Sequence, residues 1–245
     1  MIGAQQVVDI VLAEARRRGR ADETIVLVTD RVDAALRWAN NTMTTNGEST
    51  SRTTTVISIV RRDGRAYVGS VRSSAVAPSV LMDLVVASQA AAAAAPPARD
   101  SAPALPADAA PTDWDAPSPR TGIDAFGGIA DALTRGFAGR ETLFGYARHV
   151  VETTFVATST GLRRRFTQPT GSVEINAKRD GASAWAGVGT PDFVDVPTDA
   201  MLEDLATRLS WAQRSVELPA GRYETIMPPS TVADMMIYLS WTMGG

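Results

Sequence analysis

No cysteine occurs in this chain. Disulfides, thiolate nucleophiles and thiolate metal sites are excluded together. Histidine is nearly as scarce, since His149 is the single one. A zinc site, typically built from three or four His, Cys or carboxylate ligands, would have to draw on carboxylates almost alone. No sign of charge dominates: charged residues make up 21% and the net charge is -3. Nothing electrostatic points to nucleic acid or an anionic membrane as partner. No apolar run is long enough to span a bilayer. Residues 1–20 mix apolar positions with Glu14 and Arg16-Arg17-Arg18, which does not read as a cleavable signal. What is present is 44% apolar residues over 245 positions, enough to bury a core in one large domain or two small ones. The expectation is a cytoplasmic α+β protein.

Residues 3–18 carry Val7, Val8, Val11, Leu12 and Ala15 at helical spacing. Gly19 suits the C-terminal cap, and the arginine run suits the negative end of the helix dipole. TIVLVTD (24–30) reads as a strand, VDAALRWANN (32–41) as a second one, and TTNGES (44–49) as a loop or turn. In TTTVISIVRRDGRAYVGSVR, two β-rich runs flank Asp63-Gly64, which favours a tight hairpin. Residues 73–95 read as a helix with Pro78 in its first turn. Residues 96–121 hold seven prolines among Ala, Asp and Ser. They read as an extended loop or linker, either a lid anchored by Trp114 or a solvated connection with Trp114 tucked onto the body. Residues 123–139 read as a glycine-weakened helix. The β-rich stretch 143–189 reads as a meander of three or four antiparallel strands, with turns at Ser159-Thr160-Gly161 and Arg179-Asp180-Gly181 and a bulge or bend at Pro169-Thr170-Gly171. Residues 198–216 form a helix by their acidic start and basic end. Residues 218–230 read as a strand, and Pro228-Pro229-Ser230 opens a last helix. No internal repeat is visible. The string predicts an α+β fold with a mixed, largely antiparallel sheet and packed helices.

Few residues invite chemistry. LRRRF (162–166) places Arg163 and Arg165 on one strand face and Arg164 on the other. The run could clamp an anion or carboxylate, or serve as a solvated face or subunit contact. His149 could be a general base, but a lone strand histidine among apolar residues is more often structural. Ser159 lacks the G-x-S-x-G setting of a nucleophile. Gly187-Val188-Gly189 is too short for a dinucleotide loop. No self-sufficient catalytic site is expected, and no catalytic residue is assigned.

Two stretches carry a resemblance: ETTFVATSTGLRRRFTQPTGSVEINAK, and GRYETIMPPSTVADMMIYLSWTMGG. Together they resemble the TldD/PmbA family, also called the modulator-of-gyrase family, and within it the PmbA (TldE) branch. The resemblance implies an N-terminal α+β domain over 1–216, including the Pro/Ala-rich loop 96–121. It implies the start of a β-rich C-terminal domain at 217–245, so that Gly245 need not be a natural end. In the TldD branch the helix after the LPAGRYE strand carries His-Glu-x-x-x-His, two zinc ligands and a general base. Laid on this chain, those positions fall at Ile237, Tyr238 and Thr242, which cannot take these roles. The resemblance thus implies a subunit without metal, paired as a heterodimer with a TldD-type catalytic subunit that holds the zinc. The substrates implied are unfolded or extended peptides, with Arg163, Arg164 and Arg165 as a peptide or subunit contact. Nucleic acid and membrane are not expected as partners. The alternative is a non-proteolytic regulatory or peptide-binding protein.

Overall fold

The structure is a computed structural model that describes residues 2–75, 77–107, 109 and 111–244. Met1, Val76, Asp108, Ala110 and Gly245 lie outside the described residues. The chain divides into two units, residues 1–213 and 214–245.

The first unit is built on a six-stranded sheet. In chain order its elements are α1 (Ala4–Arg18), β1 (Glu23–Ala39), β2 (Thr42–Arg62), β3 (Arg65–Ser73), α2 (Pro78–Ala94), a 3-10 turn (Ile123–Phe126), α3 (Gly127–Phe137), β4 (Thr142–Thr158), β5 (Arg163–Arg179), β6 (Ala182–Gly189) and α4 (Thr198–Trp211). The strand order is β3-β2-β1-β4-β5-β6, and every pairing is antiparallel. The fold is α+β.

Several boundaries differ from the sequence reading for local reasons. The stretch 24–41 is one strand, because the turn is Asn40-Asn41, both at positive φ (51° and 57°). Asparagine tolerates that left-handed region. The Asn41 side chain then closes the turn by accepting from Leu143 N at 2.6 Å and donating to Glu141 O at 2.9 Å. Residues 44–49 are consequently not a loop but part of β2, where they pair with β1. Pro169 makes no break in β5. The side of β5 away from β4 is paired with β6 only from Ser172 onward, so the missing N–H falls on an open edge. The Asp63-Gly64 and Asp180-Gly181 turns form as expected, with all four residues at positive φ. The 143–189 meander has three strands.

All helices of this unit lie on one face. Even-numbered β1 residues Val26, Val28, Ala34, Leu36 and Trp38 are buried, as are Phe155, Ala147 and Leu143 on β4 and Val173, Ile175 and Ala177 on β5. Two cores result. One joins α1 and α2 to Val26, Val56 and Phe155. The other joins α3 and α4 to Trp38, Leu143 and Ile175, with Phe126 wedged in from the 3-10 turn. Packing is close: a Cβ on Gly69 of β3 would lie 2.2 Å from the α2 backbone at Ser88 and Ala92.

The topology is duplicated. A helix, a three-stranded meander and a second helix occur twice, and the two meanders meet as antiparallel neighbours at β1 and β4. This relates the halves by an approximate two-fold axis through the β1–β4 pair, a repeat that sequence inspection missed.

The second unit contains α5 (Pro229–Thr242). The stretch 218–230 is expected as a strand, but 218–228 have no regular structure and, among the described residues, no partner strand, and Pro229 already begins α5. An isolated strand leaves its backbone groups unpaired, so it does not persist.

Candidate functional site

The arginine run begins β5. As the strand period requires, Arg163 and Arg165 share the helix-covered face and Arg164 takes the other. Their partners come from segment 96–121, which straps the unit. Arg165 is 4% exposed. It donates from Nη1 to Asp113 O at 2.6 Å and Asp113 Oδ2 at 2.9 Å, and from Nη2 to Pro117 O at 3.0 Å. Its guanidinium lies 5.4 Å from the Phe155 ring centre. Arg163 stands 5.8 Å from the Trp114 ring, and Trp114 meets Phe155 edge-on at 5.5 Å. Gln5 of α1 donates to Trp114 O at 2.7 Å. Arg164 donates to Arg163 O at 2.8 Å and Ala109 O at 3.4 Å.

Further along, the strap is held by other side chains. Arg61 donates to Ala102 O at 3.1 Å and Thr160 to Leu105 O at 2.6 Å. The described residues of 96–121 are therefore an ordered part of the unit, with Trp114 half-buried against the first core. Arginine and threonine side chains take the carbonyls of Ala102, Leu105, Ala109, Asp113 and Pro117. Missing proline N–H groups keep the segment from pairing as a continuous strand, so side chains act as donors to those carbonyls.

His149 is buried on the helix-covered face, 8% exposed. Its Nε2 lies 2.8 Å from Pro191 O, and its Nδ1 lies 2.6 Å from Thr121 Oγ1. A carbonyl only accepts, so Nε2 carries a proton; in the neutral imidazole Nδ1 then accepts from the threonine hydroxyl. Phe193 packs edge-on against the ring at 5.5 Å. Both nitrogens are committed to tying the strap and the 190–193 loop to β4. Ser159 accepts from Thr24 N at 3.0 Å. It lies ten positions along the chain from His149, roughly 30 Å along an extended strand, so the two form no dyad.

On α5, Ile237 and Tyr238 are 49% and 68% exposed, and Thr242 donates its hydroxyl to Leu239 O within its own helix at 2.8 Å. A hydrocarbon, a phenol and a hydroxyl so engaged do not fit zinc. Among the described residues no group of three or more His, Asp or Glu side chains could hold a metal. Asp234, Met235, Met236, Tyr238, Leu239 and Thr242 line a shallow apolar hollow of about 600 Å³.

Sequence inspection missed the ionic constellation on the helix-free face. Asp33 of β1 accepts from Arg31 Nη2 at 3.0 Å and from Arg148 Nε at 3.0 Å, with a second, closer contact from Arg148 Nη2. Arg31 also donates to Glu152 at 2.7 Å. The hydrogen bonds from Arg148, reinforced by Arg31, hold the Asp33 carboxyl below its ordinary value against the opposing effect of burial. The signal available was the odd-position spacing of Arg31 and Asp33; the contribution of Arg148 depends on a pairing register that spans more than a hundred residues.

No family model matches the chain, and no curated protein does. Solved structures do. TldE from Thermococcus kodakarensis superposes with a TM-score of 0.64 at 12% identity, over 86% of this chain and 48% of that one. A proposed modulator of a DNA gyrase from Thermotoga maritima gives 0.62 at 13% identity, over 89% and 50%. A second proposed modulator of DNA gyrase, from Bacteroides thetaiotaomicron, gives 0.58 at 11% identity, over 86% and 50%. The chain spans about half the length of the solved structures it matches. Its fold is that of the corresponding part of TldE and of these proposed gyrase modulators.

Proposed function

We propose that this chain is part of a TldE/PmbA-type subunit of a heterodimeric zinc metallopeptidase acting on unfolded or extended peptides, and that it supplies no zinc ligand. The observation that carries this reading is the likeness to TldE over 86% of the chain. Ile237, Tyr238 and Thr242 at the positions laid on His-Glu-x-x-x-His support it. In this reading a TldD-type partner holds the zinc, which would supply Lewis-acid chemistry for peptide hydrolysis there. This chain helps to form and enclose the space in which peptides are cut. Arg163, Arg164 and Arg165 contribute to a peptide or subunit contact through the strap they hold. The protein works in the cytoplasm; among the described residues no helix is long and apolar enough to cross a membrane.

Native mass spectrometry of the untagged protein purified from its source cells tests this. A one-to-one complex with a zinc-bearing homologue is the expected result. Stoichiometric zinc bound to the protein in isolation would overturn the non-catalytic assignment. A zinc-free species that stays alone would favour a second reading, a non-proteolytic regulatory or peptide-binding protein; the gyrase modulation proposed for the Thermotoga and Bacteroides proteins is a regulatory role of that kind.

A further inference from the structure

The helix-free face of the sheet can be reconstructed rung by rung from the strand register. The first rungs are aliphatic: Val68 beside Ile59, then Ile57 beside Ile25, then Leu27 beside Val156. Hydroxyls follow, with Thr53, Thr29 and Thr154 in line. The ionic rungs of Arg31–Glu152 and Asp33 come next, then Arg148, then Arg37 beside Tyr146 and Glu174. Two cavities open on this face and share Arg31. One of about 430 Å³ is lined by Leu27, Thr29, Thr53, Thr154, Arg72 and others. One of about 240 Å³ is lined by Arg148, Val150, Thr170 and Ser172.

Most charges on the face cancel in place. Arg31 and Arg148 are matched by Asp33 and Glu152, and Arg61 by Glu23. Glu174 accepts from Tyr146 at 2.6 Å and Trp185 at 3.2 Å. Arg72 and Arg37 are exposed and, among the described residues, make no hydrogen bond or ion pair. Lys178 adds a further cation over the Phe144 ring. The face thus carries a surplus of positive charge on a chain whose net charge is -3. Two copies of a face with the same surplus repel each other, which argues against self-association here.

We propose that this face docks an acidic polypeptide segment of a partner. Its carboxylates meet Arg72 and Arg37, and at the Arg72 end its aliphatic side chains rest on Leu27 and Val156, in the rung of Arg72, and on Ile25 one rung beyond. Arg72 and Arg37 stand at opposite ends of a path on the order of 30 Å, which about ten extended residues cover. The match is one of charge, with aliphatic contact at one end, and it stands apart from the assignment of a peptidase partner.

The test uses this chain and fluorescently labelled synthetic peptides of about twelve residues, long enough to span the face at ~3.3 Å per residue. One alternates Glu and Leu, a control alternates Lys and Leu, and an oligo-dT of similar length is the second control. The Glu-Leu peptide is expected to bind saturably and to weaken with salt. Combining Arg37→Glu with Arg72→Glu, both exposed and unpaired, should weaken it about tenfold. Arg16→Glu, exposed on α1, should leave binding unchanged. No saturable binding, equal binding of the Lys-Leu peptide, or no effect of the double variant would each overturn the proposal. Equally tight, competing binding of oligo-dT would also overturn it, in favour of a general polyanion surface.

Discussion

Asp33 shows how a single residue can organise a surface. Its lowered carboxyl contributes stability above the unfolded carboxylate value of about 3.9, and that contribution disappears as the pH falls through the folded value. Asp33→Asn should cost about 1 kcal/mol at neutral pH, a modest figure because Arg31 and Arg148 remain partly in water. Urea denaturation should show the gap between variant and parent closing below about pH 4. His149 makes the opposite case, a candidate base by residue type whose two ring nitrogens are both engaged in holding loops to β4. His149→Ala should destabilise by about 3 kcal/mol, since it leaves the Thr121 hydroxyl and the Pro191 carbonyl without partners and opens a cavity beside Phe193. Equilibrium unfolding measures that loss directly. The chemistry of each residue was visible in the sequence; the partners were not, because Asp33 and Arg148 meet only through the β1–β4 register.

At the scale of elements, the strap is the least expected feature. Its composition is that of a linker, yet its described residues are held at Arg61, Thr160, Arg164 and Arg165 and by Trp114 against Phe155. Proline supplies stiffness but no N–H donor, so the segment cannot pair as a continuous strand and side chains donate to its carbonyls instead. Trp114→Ala should destabilise by about 2 kcal/mol, less than a fully buried aromatic. It should also speed cleavage within 96–121 by elastase, seen by limited proteolysis of the folded protein. Elements with strong local signals were legible: the Asp-Gly hairpins, the capped first helix and the acidic start of α4. The β1–β2 turn was misplaced because Asn40-Asn41 is a quieter signal than the Asn46-Gly47 pair that lies inside β2. Cross-strand pairing kept Gly47 extended, overriding its turn preference.

The whole unit is two meanders joined at one seam. Each half alone would expose a seventeen-residue edge, β1 or β4, and long open edges aggregate. Fragments 1–95 and 96–213 should therefore be insoluble when expressed separately and should co-purify when expressed together. Soluble, folded behaviour of either fragment alone, measured by circular dichroism and size-exclusion chromatography, would contradict the seam as the organising contact.

Absence spoke first and most clearly here. Without cysteine, the sequence by itself excluded disulfides and thiolate chemistry, and its periodicities indicated helices packed on a largely antiparallel sheet. Those properties are local, written in residue type and spacing. Tertiary structure alone decided that all helices of the first unit share one face, that a proline-rich strap is ordered, and that the two halves are topological copies. Each of these depends on which strand edge meets which across more than a hundred residues. That choice is made by the summed burial along the helix-covered face rather than by any short segment.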